Sequence, residues 1–313
     1  MKHLSGQLAT LKDLRIWRAS IGGSADCVAV VCGTFHILQP GNLTALQLAR
    51  QYAKHVCVVL EPDTARSRSS GSRPFISLSE RAEMLSHLKD VDLVTSFSPH
   101  NAAAYLQILK PYTWFRCNKQ TDGPLSRHAS ILADRKEAIP VLPACFTPDV
   151  LKAIRAGKTP ICLPGSFRTG RHNVISKSTD HTLVTVNGCF DVLHIGHLRF
   201  LAQARAMGDE LMVLTNNDAS VQRYKGTDRP VFPLRFRTAA LLAMKSVSAV
   251  RSFSEDNPLR LISTLKPGIH VKGGSYEPGR VDDERRLLES WGGQIAFCPM
   301  VEGRSTSSYL HKL

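Results

Sequence analysis

Two histidines three residues apart, His194 and His197, follow a glycine turn in this chain of 313 residues. The apolar run Leu183–Val186 before the turn predicts a β-strand, and the sequence after it predicts a helix that starts at Ile195. Imidazoles in the first turn of a helix lie beside backbone N–H groups that have no partner within the helix, which suits them to bind phosphate oxygens. We therefore predict an anion-binding site at the start of this helix, with both histidines in catalytic roles.

The residues of the turn itself complete the pattern. We expect Gly188, Cys189 and Phe190 to line the phosphate site, and Asp191 to order it or to orient a magnesium-bound phosphate. A metal site made by the two histidines with Cys189 and Asp191 is the alternative, but a glycine turn that opens a helix favours phosphate. We accordingly predict no metal held by the protein itself.

Three later segments are suited to hold the rest of an anionic ligand. Lys225, near the end of the segment Asn217–Gly226, is a mobile point charge within reach of a triphosphate, and Asp218 is a candidate for ordering the site. Lys272 and Gly273 follow an apolar run, where a glycine lets a ligand approach the backbone closely. Hydroxyls led by an arginine at a predicted helix start form a further anion-binding segment, which comprises Arg304, Ser305, Thr306 and Ser307.

Strands alternate with helices through the second half of the chain. The apolar patterns predict the strands Leu183–Val186, Leu211–Thr215, Ala249–Phe253, Ile269–Val271 and Ile295–Phe297, and the helices Ile195–Met207, Pro233–Met244, Pro258–Thr264, Val281–Trp291 and Ser305–Leu310. This alternation is typical of a doubly wound α/β sheet of parallel strands, whose ligands bind at the carboxyl ends of the strands. The acidic run Asp282–Glu284 is interpreted as the charged face of a surface helix.

The first half contains an altered copy of the same pattern. Residues from Val31 to Asn42 align with the second-half turn, Gly33 falls on Gly188, and later pairs keep an offset of 155 to 156 residues. These later pairs are Arg73-Pro74 with Arg229-Pro230, Leu78 with Leu234, Arg81 with Arg237, and Lys110-Pro111 with Lys266-Pro267. The chain is therefore predicted to be a tandem repeat, with domains at 1–145 and 181–313 and a linker rich in Pro, Gly, Ser and Thr at 146–180.

The first copy lacks the charge chemistry of the second. Gln39 and Asn42 stand where the two histidines stand, and His36 replaces the signature aspartate. Amide side chains stay neutral, so they cannot supply an imidazolium's charge beside a triphosphate. We predict that this copy is catalytically silent. The opposing interpretation is a divergent active site that uses His36 and His55.

Composition limits the class of partner. The net charge of +14 comes from 23 basic and 13 acidic residues in 1–180 and from 17 and 13 in 181–313. The sequence contains no recognisable nucleic-acid-binding module and no dense basic run with interleaved aromatics, so we expect an anionic small molecule rather than nucleic acid. No apolar run reaches the roughly 20 residues that span a bilayer, and the eight cysteines have no metal-ligand spacing. We expect a cytoplasmic protein with reduced cysteines and no membrane contact.

The second half, from about Thr182 to Leu310, resembles the cytidylyltransferase-like superfamily of nucleotidyltransferases. Within it, the sequence is similar to the adenylyltransferase domain that makes ADP-heptose from D-glycero-β-D-manno-heptose 1-phosphate and ATP. The motifs that carry the resemblance are Asn187–Asp191, His194-x-Gly196-His197, Asn217–Ser220, Lys225-Gly226, Arg229–Val231, Val271–Gly274 and Arg304–Ser307. With the repeat, the resemblance implies an α/β fold of two tandem Rossmann-like nucleotidyltransferase domains, each a doubly wound parallel sheet.

The resemblance also implies roles for individual residues. In the family, the signature histidines bind the triphosphate and stabilise the transition state, the serine–threonine segment and the loop lysine hold the nucleotide, and Mg²⁺ accompanies it. These roles fall on His194, His197, Lys225, Arg304, Ser305 and Thr306. Family members commonly form homodimers, so the two copies are expected to form an intramolecular pseudo-dimer, and a homo-oligomer is also open.

The expected reaction is transfer of AMP from ATP to a sugar 1-phosphate, with release of pyrophosphate. The alternative within the class is a CTP-dependent cytidylyltransferase that acts on glycerol 3-phosphate or a similar polyol phosphate. The alternative from another class is a nucleotide-binding scaffold protein without turnover. A class I aminoacyl-tRNA synthetase shares a histidine–glycine–histidine signature, but the K-M-S-K-S loop and an anticodon domain are missing from this sequence.

Overall fold

The computed structural model describes residues 8–22, 27–35, 37–63, 76–97, 101–116, 181–274, 279 and 281–299. These residues fall into two compact units, one within 8–116 and one within 181–299. The predicted linker 146–180 and the predicted anion-binding segment Arg304–Ser307 lie outside the described residues.

The first unit is a parallel sheet with helices between its strands. In chain order its elements are α1 (Leu11–Ser20), β1 (Val28–Gly33), α2 (Pro40–Tyr52), β2 (His55–Leu60), α3 (Leu78–Ser86), β3 (Leu93–Ser96), α4 (Ala102–Leu109) and β4 (Thr113–Arg116). The strands lie in the order β3-β2-β1-β4, and every pairing is parallel. All six residues of β1 are buried, which is typical of a central parallel strand that is covered on both faces.

The second unit has the same architecture with one more described strand. Its elements are β5 (Leu183–Gly188), α5 (Ile195–Arg205), β6 (Glu210–Asn216), α6 (Asp218–Lys225), α7 (Leu234–Leu242), β7 (Ala249–Phe253), α8 (Leu259–Leu265), β8 (Ile269–Gly273), α9 (Asp282–Glu289) and β9 (Gln294–Cys298). The strands lie in the order β7-β6-β5-β8-β9, all parallel. The predicted doubly wound parallel α/β fold is therefore confirmed.

The sequence patterns placed the strands better than the helices. Ala249–Phe253 agrees residue for residue, and the other predicted strands extend by one or two residues in the structure. The segment after β6 was interpreted as a loop that carries Lys225, and this is wrong because it forms helix α6. Asn217 caps that helix by accepting a hydrogen bond from the Ser220 backbone N–H at 2.9 Å, which stabilises a helix start. The predicted helix Ser305–Leu310 lies outside the described residues.

Unusual backbone conformations recur at the aligned positions of the two units. Phe35 and Phe190 have φ angles of 47° and 45°, in the left-handed region that side chains other than glycine rarely adopt. Lys110 and Lys266 have φ angles of 42° and 46°, and each ends a helix as a left-handed cap. The two units thus share local backbone features as well as the order of their first four strands.

A buried arginine makes the same contacts in both units. Arg81 is 2% exposed and Arg237 is 0% exposed, and each donates from Nη1 to one backbone carbonyl and from Nη2 to a second carbonyl and a carboxylate. The acceptors are, in the same order, Thr34 O, Glu61 O and Asp63 Oδ1 for Arg81, and Cys189 O, Asn216 O and Asp218 Oδ1 for Arg237. Each guanidinium therefore joins the loop after one strand to the loop after the next.

A polar pair lies in the core of the second unit. His270 on β8 is fully buried, and its Nδ1 lies 2.8 Å from the Thr185 hydroxyl on β5. Burial, and then the positive charge of Lys272, lower the pKa of His270 to about 3. The ring is therefore neutral in the folded protein at every pH above that value.

We expect this pair to make the second unit acid-sensitive. Between the unfolded pKa of about 6.5 and the folded pKa of about 3, the unfolded chain binds a proton that the folded unit does not. The free energy of unfolding therefore falls as the pH falls through this window, by up to about 1.4 kcal/mol per pH unit from this one group. The double variant His270→Leu/Thr185→Val removes both polar groups together, so its urea midpoint should fall less between pH 7 and pH 5 than that of the wild type. If the urea midpoints of the wild type and the double variant fall equally between pH 7 and pH 5, the acid sensitivity does not come from His270.

No helix of the described residues combines the length and apolar character needed to cross a membrane.

Candidate active site

The order of the strands in the second unit creates a crevice beside β5. The chain passes from β5 to β6 on one side, and β8 pairs with β5 on the other side. In a doubly wound sheet, ligands bind outside the carboxyl ends of the strands where the order reverses in this way. The signature turn begins at Gly188, the last residue of β5, so the turn lies at the edge of the sheet where this rule expects a ligand.

Phe190 shapes the signature turn. Its backbone is in the left-handed region, and its ring is buried, with its centroid 5.5 Å from that of the His197 ring. A Cβ atom at Gly188 would lie 3.0 Å from the Phe190 ring, so a side chain at position 188 would push that ring away. We infer that the Phe190 side chain supports His197 rather than contacts the nucleotide directly.

The two signature histidines lie against each other at the start of α5. His194 is the N-cap residue and is 1% exposed, while His197 is partly exposed in the first turn. Their ring centroids are 3.8 Å apart and the ring planes are 30° apart. The His194 side chain does not cap its own helix, so the helix start keeps N–H groups that suit a phosphate.

The surroundings of His197 favour a neutral ring in the unliganded protein. Burial lowers the pKa of His197 well below its usual 6.5, and the neighbouring His194 and the Lys225 ammonium lower it further, against a hydrogen bond with the Val192 backbone that raises it. Lys225 ends helix α6 and is exposed. The Lys225 ammonium is therefore close enough to His197 to act on its charge, and it comes from a helix and not from a loop.

Asp191 holds the signature turn against a distant loop. Its Oδ1 accepts from the Phe232 backbone N–H at 2.9 Å, and its Oδ2 accepts from the Val231 N–H at 2.9 Å and from Arg229 Nη1 at 3.1 Å. The carboxylate is almost fully buried. Of the two roles that the sequence left open for Asp191, these contacts favour ordering the site.

Asp218, the first residue of α6, has a similar ordering role just beyond the end of β6. Its two oxygens accept from Arg237 Nη2 at 2.8 Å and from the Leu234 backbone N–H at 3.2 Å. Arg237 also donates to the Phe232 carbonyl and to the Thr215 hydroxyl. The sequence aligned Arg237 with Arg81 but did not predict that Arg237 supports the site. The repetition of this arginine in both halves was the signal that could have indicated it.

Cys189 lies between these groups. Its carbonyl accepts from Arg237 Nη1 at 2.6 Å, and its half-buried thiol lies 3.8 Å from Asn216 Oδ1. Burial raises the pKa of the thiol, and the nearby charges of Lys225 and Arg237 oppose that rise. The Cys189 backbone is thus held at the crevice, where it was predicted to line the site.

Lys272 reaches the carboxyl edge of the sheet, but its ammonium is already engaged. Nζ donates to Glu284 Oε1 at 2.7 Å and to Asn187 Oδ1 at 3.0 Å, and the lysine is 6% exposed. The interpretation of Glu284 as a surface charge is wrong, because α9 turns this residue inward and it is 9% exposed. Gly273, the last residue of β8, lies at the same edge and is partly exposed.

The first unit has a different helix start at the aligned position. Gln39 is the N-cap of α2, and its backbone N–H donates to Asn42 Oδ1 at 3.1 Å. Pro40 occupies the first helical position and has no N–H to donate. Two of the donors that a phosphate would use are therefore absent or occupied, which supports the prediction of a silent copy.

The alternative use of His55 in the first unit is disfavoured by topology. His55 is the first residue of β2, whereas Gln39 follows the carboxyl end of β1. Because the strands are parallel, these two positions lie at opposite edges of the sheet. The His55 ring packs edge-on against Trp17 with centroids 6.0 Å apart, and His36 lies outside the described residues.

No group of three or more His, Cys, Asp or Glu side chains in the described part of the chain is arranged to hold a metal ion. The histidine–Cys189–Asp191 metal site that the sequence left open therefore has no support, since Asp191 is taken up by backbone N–H groups and Arg229.

Comparison with known families decides the class of this site. The cytidylyltransferase-like family model matches residues 30–149 and 185–309, well over half of the chain. The chain belongs to the cytidylyltransferase-like family. Membership of this family makes the chain a nucleotidyltransferase, and the second matched range includes the turn from Gly188 to His197.

Part of this cytidylyltransferase-like chain is similar to curated proteins named bifunctional protein HldE. The chain is 45% identical over 137 residues to the bifunctional protein HldE of Geotalea uraniireducens, covering 44% of this chain and 28% of the relative. It is 48% identical over 129 residues to the same-named protein of Streptomyces coelicolor, covering 41% and 28%. The chain thus spans less than a third of the length of these relatives. A solved lipopolysaccharide core biosynthesis protein of Thermoplasma volcanium matches with 24% identity and a TM-score of 0.34, over 40% of this chain and 99% of that one.

Proposed function

We propose that the second unit transfers AMP from ATP to D-glycero-β-D-manno-heptose 1-phosphate and releases pyrophosphate. The observation that carries the proposal is the stacking of the His194 and His197 rings at the start of α5. The N-cap residue of this helix, His194, makes no side-chain cap hydrogen bond. The choice of ATP and the heptose rests on the resemblance of residues 182–310 to the ADP-heptose-forming adenylyltransferase domain. The relatives named bifunctional protein HldE support that choice.

The reaction needs charge neutralisation and positioning but no covalent intermediate. A phosphate oxygen of the sugar 1-phosphate attacks the α-phosphorus of ATP, a new P–O bond forms, and the bond to the β-phosphate oxygen breaks as pyrophosphate leaves. Donors that are fixed in place stabilise the charge that develops on the phosphoryl oxygens. His194, His197 and Lys225 are proposed to supply these donors, with the predicted segment Arg304–Ser307 holding the nucleotide.

Much of the site's positive charge is already neutralised. Arg229 pairs with Asp191, Arg237 with Asp218, and Lys272 with Glu284, at 3.1, 2.8 and 2.7 Å. Among the described residues, Lys225 forms no ion pair. New positive charge for the triphosphate is therefore proposed to come from protonation of His197 as well as from Lys225.

We expect ATP binding to take up protons. The pKa of His197 is well below 6.5 in the unliganded protein, and nearby phosphate oxygens raise it by favouring the charged ring. Affinity for ATP should therefore increase as the pH falls from about 8 to about 6. Calorimetric titration of ATP in two buffers of different ionisation enthalpy should give an uptake of up to about one proton at pH 7. The same heat in both buffers would exclude this linkage.

Mg²⁺ is proposed to enter with the nucleotide. The described residues offer no cluster of carboxylates and histidines for a resident ion, and Asp191 and Asp218 are taken up by ordering the site. When bound to the phosphate oxygens of ATP, Mg²⁺ supplies charge neutralisation.

We infer that the two units arose by duplication and that the first is silent. The aligned arginine networks and the equal order of the first four strands support duplication. The self-capped start of α2 supports silence, since Asn42 and Pro40 take away donors that a phosphate needs. The intramolecular pseudo-dimer, the homo-oligomer and the cytoplasmic location stay predictions.

Pyrophosphate release with Mg²⁺ tests the function, with ATP and CTP each crossed against heptose 1-phosphate and glycerol 3-phosphate. Turnover with ATP and the heptose phosphate is the expected result. Turnover with CTP and glycerol 3-phosphate would replace the proposal with the cytidylyltransferase alternative. ATP binding without turnover in any of the four mixtures would favour another sugar phosphate or the scaffold protein.

A further inference from the structure

Three polar side chains meet at the carboxyl ends of β5 and β8. Lys272 Nζ lies 2.7 Å from Glu284 Oε1 on the first turn of α9 and 3.0 Å from Asn187 Oδ1 at the end of β5. Lys272 and Glu284 are buried, at 6% and 9% exposure, whereas Asn187 is partly exposed. The group therefore runs from a buried carboxylate to an amide at the crevice.

The chemistry of the ammonium determines how the Asn187 amide is turned. A lysine ammonium has only donors, so the amide atom that faces it must be the oxygen. The Nδ2 atom, with its two N–H donors, then points away from Lys272. Within the described residues, the Asn187 side-chain amide has no hydrogen bond other than the one from Lys272. The partly exposed end of the group thus presents two N–H donors that lack an acceptor there.

Glu284 keeps the ammonium charged and in place. Burying a lysine ammonium without a counter-charge is costly, and its carboxylate partner offsets that cost. Buried ion pairs as a class add little to stability compared with apolar residues of similar size, so stability alone does not account for this one. Its position at the edge where ligands bind suggests a role in the site.

We propose that Glu284 and Lys272 are positioning residues that aim the Asn187 amide N–H groups at an oxygen of the bound substrate. Asn187 directly precedes Gly188 and the signature turn, so its amide lies beside the proposed path of the phosphates. The ligand atom is a phosphate or hydroxyl oxygen, which either ATP or the sugar phosphate could supply. The identity of the two substrates rests on the proposed function, whereas the geometry of the three side chains does not.

The test compares Asn187→Ala, Glu284→Gln, their double variant and the control Glu289→Gln in the full chain. Glu289 is an exposed glutamate on the same helix. Steady-state kinetics would give kcat and the KM for each substrate, and calorimetry would give the Kd for ATP without turnover. A hydrogen bond from a neutral donor to a charged oxygen predicts an increase in KM or Kd of about tenfold or more for Asn187→Ala.

If Glu284 acts through Asn187, Glu284→Gln should raise the same constant, and the double variant should be no worse than Asn187→Ala alone. Glu289→Gln should change nothing. A raised Kd for ATP assigns the contact to the nucleotide, and a raised KM for the sugar phosphate alone assigns it to the acceptor. The calorimetric measurement still tests the contact with ATP if the heptose phosphate is not turned over, which separates this proposal from the proposed function.

Two results would overturn the proposal. In the first, Asn187→Ala, whose side chain is partly exposed, leaves both KM values and the Kd unchanged. In the second, Glu284→Gln only lowers the unfolding temperature, or its effect adds in full to that of Asn187→Ala, as expected of two independent sites.

Discussion

Replacing His197 with alanine is expected to lower kcat by about 10²–10³-fold, the loss typical of removing a donor that is fixed in place for the transition state. The ring lies 3.8 Å from His194 at the start of α5 and near Lys225, so its removal takes away a group that no described neighbour replaces. The KM for ATP should rise much less than kcat falls if His197 acts mainly in the transition state. Pyrophosphate release under saturating ATP measures the effect.

The matched control is Asn42→Ala, at the aligned position of the first unit. Asn42 Oδ1 accepts from the Gln39 N–H, so its loss should cost about 1 kcal/mol of stability in that unit, as for other helix caps, and leave turnover nearly unchanged. Comparable losses of kcat in both variants would contradict the division into an active and a silent unit.

Replacing Arg237 with methionine is expected to destabilise the second unit by about 3 kcal/mol or more and to abolish most of its activity. The substitution removes the arginine donor from the carbonyls of Asn216 and Phe232 and one of the two donors to the Cys189 carbonyl, and a buried acceptor left unpaired costs about 1–3 kcal/mol. The Asp218 carboxylate is partly exposed and contributes less, since water can solvate it. Thermal unfolding and pyrophosphate release measure the two effects.

Two other arginines separate the stability effect from the catalytic effect. Arg235 lies exposed on the same helix α7, so Arg235→Met should change neither the unfolding temperature nor turnover by much. Arg81→Met removes the aligned network of the first unit and should destabilise that unit. If Arg237→Met unfolds with the wild-type profile, the role assigned to this network is wrong.

Local sequence was sufficient to predict the strands and the signature turn. The strands are short apolar runs bounded by turn residues, and this pattern is contained in each segment by itself. The helix α6 was missed because its sequence Asp218–Lys225 is almost entirely polar, and only Ser220 and Val221 are buried. The helix starts after the Asn217 cap, and an asparagine in a polar segment is equally compatible with a turn.

The sequence could not decide a residue's role where that role depends on a partner far along the chain. Asp191 finds its donors about 40 residues later, at Arg229, Val231 and Phe232. In the sequence, Glu284 is one of several acidic residues at the start of a helix. Only the packing of α9 beside β8 brings its carboxylate to the Lys272 ammonium. The same contact engages the Lys272 ammonium. Two of its three N–H donors bind Asn187 and Glu284, so the predicted contact with the nucleotide is left to the third donor.

The sequence by itself determined the parallel α/β sheet, the family of the site and the loss of the histidines in the first unit. These features depend on residue types and short spacings, which can be recognised without knowing the fold. Only the tertiary structure decided which charged groups are available to bind a ligand and which are already paired with each other. That division depends on distances between elements far apart in the chain, and burial at those contacts determines whether a charge is held in the core or presented at the crevice.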